Sequence, residues 1–103
     1  MSKHLEEVRG YSPNADEAIV AGLEKNLALV LRNADSALVA ASDSDELDRI
    51  ATGFASKRLG LSREDADAGI KKVCEQMKGS RRKGRVAFYY LLAETTGTLD
   101  KLR

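Results

Sequence analysis

A chain of 103 residues that is 43% hydrophobic and 32% charged, with one proline and eight glycines, has the make-up of one globular domain, residues 1–103, and excludes a disordered or linker-rich segment. A single cysteine, Cys74, excludes an internal disulfide; the opening MSKHLEEVRG lacks the apolar stretch of a secretory signal, and no apolar run approaches the roughly 20 residues of a membrane-crossing helix. A cytoplasmic protein with no membrane contact is therefore expected, and its net charge of +1 divides unevenly, −6 over residues 1–48 and +7 over residues 49–103. Either the basic half meets an anionic partner or the halves interleave on folding and cancel, and cancellation is the expectation.

Punctuation residues divide the chain into helical lengths. A short first helix is predicted over Ser2–Arg9, capped by Ser2 and stopped at Gly10, with Leu5 and Val8 on one side. The second starts at Asn14, where Glu17 completes a capping box, and carries Ile19, Leu23, Leu27, Val30 and Leu31 at helical spacing to about Arg32. Asp35–Ala41, "DSALVAA", reads as one or two helical turns. Ser42 or Ser44 then caps a third helix whose face is Leu47, Ile50, Ala51, Phe54, Ala55 and Leu59, closed by Gly60. Ser62 opens a fourth, with Glu64 and Asp65 complementing the helix dipole in its first turn, and with Ala66, Ile70, Val73, Cys74 and Met77 turned inward as far as Gly79.

The fifth helix is predicted over Ser80–Thr96 with Ser80 as its cap, followed by Gly97 and a short tail. Its centre, Val86–Ala93, is apolar on every side, the mark of a buried helix and not of a one-faced surface helix. "RVAFYY" also suits a strand, but a strand needs partners and only the weak "SALVAA" offers one. The fold class expected is all-α: a single compact bundle of about five or six helices around a buried C-terminal helix.

Several stretches carry a resemblance: "MSKHLEEV", "PNADEA", "LRNADSALVAASDSDEL", "KRLGLS" and above all "RVAFYYLLAE". Together they resemble, along nearly the whole chain and in order, a family of small bacterial proteins labelled domain of unknown function 2853. The resemblance implies a compact all-helical domain. It implies no activity and brings no catalytic or binding residue with it.

The sharpest chemical feature is the basic turn, where Lys78, Arg81, Arg82, Lys83 and Arg85 place five cations in eight residues around Gly79, Ser80 and Gly84. Backbone N–H groups at a helix start beside arginines suit a phosphate, and a bound anion would relieve the clash between these cations and the helix dipole. The alternative is a polar entrance to a buried helix, its charges paired with acids from the first half of the chain. Phe88, Tyr89 and Tyr90 point about 100° apart on a helix, so core packing is expected of them and not base stacking.

"SKRLGLSRED" resembles a helix-turn-helix, but Arg63, Glu64, Asp65 and Asp67 would turn acids toward DNA, so a plain helix hairpin is expected. "DSDELD", Asp43–Asp48, opens like a calcium loop but sets Leu47 and Asp48 where a ligand and a glycine belong, and capping is the better account. His4 and Cys74 have no catalytic or metal-binding partners in local sequence, and no nucleotide loop appears. No cofactor or metal is expected. The function expected is a non-enzymatic binding or adaptor domain whose contact residues are Lys78, Ser80, Arg81, Arg82, Lys83 and Arg85. Its partner is an acidic protein surface or, alternatively, nucleic acid or phosphate; a small-molecule enzyme ranks third.

Overall fold

The computed structural model describes residues 3–33, 37–80 and 83–102. Helix α1, Lys3–Tyr11, buries Leu5 and Val8 as their spacing predicts, and runs one residue past Gly10. The proposed Ser2 cap lies outside the described residues.

Helix α2, Glu17–Asn26, starts later than the capping box implied. Its cap is Asp16, whose carboxylate accepts from the Ala18 N–H at 2.9 Å. Asn14 is held in a turn closed by the Ala15 N–H donating to the Ser12 carbonyl. The Asp16 N–H in turn donates to the Tyr90 hydroxyl at 2.9 Å, so a tertiary bond selects the cap. The helix expected to reach Arg32 unbroken is interrupted at Leu27 (ψ 11°) and resumes as α3, Ala28–Leu31.

Of "DSALVAA", Asp35 and Ser36 lie outside the described residues, and Ala37–Ala41 is not helical. Leu38 forms an isolated antiparallel bridge with Gly84, the Val39 N–H donates to the Lys83 carbonyl, and the Ala37 carbonyl accepts from the Arg85 N–H, both at 2.8 Å. A helix start leaves its first N–H groups without intrahelical partners. This extended stretch supplies one such partner and buries Val39 beside it, which outweighs the local helical tendency.

Helix α4, Ser44–Ile50, is capped by Asp43, whose carboxylate accepts from the Asp45 N–H, and not by Ser42 or Ser44. It continues into a π-helical segment, Ala51–Arg58, wound one residue per turn wider than an α-helix. Gly60, at φ +68°, closes it in the left-handed conformation as predicted. Helix α5, Arg63–Gln76, opens on Ser62 as the sequence indicates, the Ser62 hydroxyl accepting from the Asp65 N–H.

Helix α6, Arg85–Thr95, is the centre: all of Val86–Ala93 is buried, as an all-round apolar helix requires. Each large side chain so buried contributes about 1.5–3 kcal/mol relative to exposure. It packs on α1, α2 and α5. At Gly69 of α5 there is no room for a side chain, since a Cβ would lie 2.6 Å from Thr96 Cγ2 and 2.8 Å from Leu92 Cδ1. The chain ends in a 3-10 turn, Leu99–Leu102, that buries Leu102. Among the described residues there is no strand, and one continuous core joins the helices.

Candidate functional site

The predicted cap, Ser80, is not where α6 begins. The helix starts five residues later, so Lys78–Ser80, Lys83 and Gly84 precede it and are not its first turn. Lys78 projects into solvent with its side chain 78% exposed, 3.7 Å from Glu75 one turn earlier. The Ser80 N–H donates to the Met77 carbonyl, and Lys83 Nζ closes the loop on the Ser80 carbonyl at 2.6 Å. Arg81 and Arg82 lie outside the described residues.

Arg85 parts company with the loop. Its side chain is 11% exposed, and its guanidinium bonds to Glu46 at 2.5 Å, the Leu38 carbonyl at 3.2 Å and the Tyr89 hydroxyl at 3.1 Å. Burial alone would lower its pKa, but the bonds to Glu46 and Tyr89 outweigh that and raise it. As part of an exposed anion-binding turn, Arg85 is therefore corrected: it is an internal cation paired with an acid from the first half of the chain.

The helix N-terminus is also taken. Glu7 of α1 places Oε2 2.9 Å from the Gly84 N–H, so the anion that the loop and dipole call for is a carboxylate of the same chain. A Cβ at residue 84 would collide with the Glu7 carboxylate, so a side chain there would have to displace the group that binds the Gly84 N–H.

What remains is a surface. Lys78 and Lys83 line an open cavity of about 370 Å³ with Val39, Ala40, Ala41, Ser42 and Cys74. Arg85 faces a different one, of about 330 Å³, which includes Asp43, Glu46 and Arg49. Cys74, expected to be buried, is half-buried; burial pushes its thiol pKa up, opposed by the charge of Lys83, so the thiol is not activated. The Arg63 side chain, about half exposed, pairs with Asp48 at 2.6 Å and Asp67 at 3.0 Å, and these acids raise its pKa. Among the described residues no three His, Cys, Asp or Glu side chains are arranged to hold a metal, and no helix is long and apolar enough to cross a membrane.

Sequence reasoning missed one feature. Phe54 of the π-helical segment stacks on Tyr89 of α6, with ring centroids 4.0 Å apart and planes at 16°. The pair opens onto a groove of about 350 Å³ whose other lining residues are Leu23, Asn26, Leu27 and Arg58.

Residues 3–100 match the model of one protein family, whose description reads "Protein of unknown function (DUF2853)". No curated protein matches the chain.

Proposed function

The chain belongs to this family of unknown function, DUF2853, which carries no activity across to it, and from its own geometry we propose a non-enzymatic, cytoplasmic binding domain that docks an acidic protein surface through the loop Lys78–Lys83. The supporting observation is the division of the cationic cluster. Lys78 and Lys83 border an open cavity with an alanine- and valine-rich wall, while the Arg85 guanidinium is paired with Glu46 and the Gly84 N–H at the start of α6 is bound by Glu7. A phosphate site draws on convergent backbone N–H donors as well as charge. Here the Gly84 N–H is bound by Glu7 and the Arg85 N–H by the Ala37 carbonyl. Lysines around an apolar patch suit carboxylates carried on a polypeptide, whose methylene and peptide groups can cover the apolar wall as a phosphate chain cannot.

Amide NMR titrations with poly-glutamate, inorganic polyphosphate and a random single-stranded oligonucleotide, each at low and physiological salt, test this reading. Poly-glutamate should shift Lys78–Lys83 at physiological salt, and Lys78→Glu should weaken that binding. Shifts with polyphosphate or oligonucleotide that persist at physiological salt, stronger than those with poly-glutamate, would replace it with nucleic-acid or phosphate binding.

A further inference from the structure

The groove over the Phe54–Tyr89 stack is built from three separate parts of the chain: Leu23, Asn26 and Leu27 at the interruption of α2, Phe54 and Arg58 in the π-helical segment, and Tyr89 in α6. It has an aromatic floor, leucine walls, one amide and one cation, and no acid among its lining residues. Arg58 is exposed and, among the described residues, has no ion-pair partner, unlike Arg63 and Arg85. Lys57 beside it is exposed as well. Leu29, 78% exposed on the adjoining helix, is the only large apolar side chain fully exposed among the described residues. The π winding that carries Phe54 and Arg58 is rare in proteins and is frequently found at functional sites.

We infer that this groove seats a segment of a partner protein in which an aromatic side chain is followed directly by a carboxylate, the ring lying against Phe54, Leu23 and Leu27 and the carboxylate meeting Arg58. Charge complementarity selects the acid, since among the described residues the only charged one lining the groove is Arg58, which pairs with no acid there. The open form of the groove selects a protein segment over a free small molecule, because sites for small molecules enclose most of the ligand surface. Aromatic and arginine side chains are enriched among the residues that carry most of the energy of protein–protein interfaces. This surface is separate from the Lys78–Lys83 loop, and neither reading rests on the other.

The test uses the full chain and the blocked tetrapeptide Gly-Phe-Glu-Gly, with the Gln and Ala replacements of its Glu and Phe as controls, followed by methyl, aromatic and amide NMR. Gly-Phe-Glu-Gly at millimolar concentration should shift Leu23, Leu27, Phe54 and Arg58. Replacing its Glu by Gln should weaken binding about 2–5-fold, the worth of one exposed ion pair, and Arg58→Gln should abolish that preference. Arg58 is exposed, so this variant should fold as the native chain does. The inference is overturned by an absence of groove shifts, by equal binding of the Glu and Gln peptides, or by an unchanged preference in Arg58→Gln. Phenylacetate binding as tightly as the peptide overturns it in favour of a small carboxylate, and groove shifts that track protein concentration alone overturn it in favour of a second copy of the chain. Loss of poly-glutamate binding in Lys78→Glu has no bearing on these outcomes, so the two readings fail independently.

Discussion

Removing the Glu46 carboxylate separates the two roles that cations play in this chain. Glu46→Ala removes the carboxylate that pairs with the Arg85 guanidinium, 11% exposed, while its bonds to the Leu38 carbonyl and the Tyr89 hydroxyl remain. Deleting one partner of a buried pair costs about 3–5 kcal/mol, because the other charge stays desolvated. Here two hydrogen bonds survive and the adjoining cavity lets water reach the site, which brings the expectation down to about 2–3 kcal/mol. For a domain of this size that is a fall in Tm of roughly 10–20 °C. The assay is urea and thermal unfolding by far-UV circular dichroism. Two variants are run beside it: Lys78→Glu, which should change stability by less than about 0.5 kcal/mol as an exposed substitution, and Glu46→Leu with Arg85→Met. The double variant should recover at least half the loss, since replacing both charges by apolar groups removes the stranded one. A Glu46→Ala protein as stable as the native chain, or a double variant less stable than Glu46→Ala, would refute the assignment of Arg85 as a structural cation.

Gly69→Ala should destabilise by about 1–3 kcal/mol despite alanine's better helix propensity, because the methyl collides with Thr96 and Leu92, and Thr96 is pinned by its hydroxyl bonds to the Leu92 carbonyl and Thr98; a more stable variant in the same melts would show that α5 and α6 can part freely. Gly84→Ala displaces the Glu7 carboxylate and should cost about 1.5–3 kcal/mol, the worth of a hydrogen bond to a charged group. With Glu7→Ala already in place the same substitution should cost much less, and an equal cost in both backgrounds would mean Glu7 is not what excludes a side chain there. The thiol pKa of Cys74 is raised by burial, so the folded state favours the neutral form. That contribution is complete below the unfolded thiol pKa and is lost as pH rises through the folded value. Alkylation at mildly alkaline pH should therefore be slower in the native than in the unfolded protein, and Cys74→Ala should flatten the fall in stability above about pH 8.5; equal alkylation rates in the two states would contradict it.

The elements most legible in the sequence are those whose signal is local. Ser62 and Gly60 act as cap and stop because their geometry is settled by their own neighbours, and Val86–Ala93 is buried because a helix apolar on all sides has no other stable place. The misreadings fall where a distant residue decides. Asn14 loses the cap to Asp16, whose N–H donates to the Tyr90 hydroxyl 74 residues away in sequence; and Ala37–Ala41 is drawn out of a helix, and α6 starts late, where Val39 and Ala37 pair with the backbone of Lys83 and Arg85. The π-helical segment did leave a trace: Ile50, Phe54 and Leu59 are spaced by four and then five, wider than the three and four of an α-helix. Its product, the Phe54–Tyr89 stack, joins residues 35 apart, and no periodicity reveals that.

The uneven charge of the two halves is partly cancelled by folding, and the pattern of the cancellation is informative. Glu46 takes Arg85, Asp48 takes Arg63, and Glu7 takes the N-terminus of α6, so acids of the first half meet the positive groups that lie against the core or between helices. Among the described residues Lys78 meets no acid but Glu75, near the end of α5, at 3.7 Å and well exposed, and Arg58 meets none. A surface ion pair is worth about 0–1 kcal/mol, so stability alone exerts little pull on cations in such places. Their positions, one beside the apolar wall of an open cavity and one beside an aromatic-floored groove, put unspent positive charge next to apolar surface twice over. That pairing is what an acidic protein partner with apolar anchors would recognise.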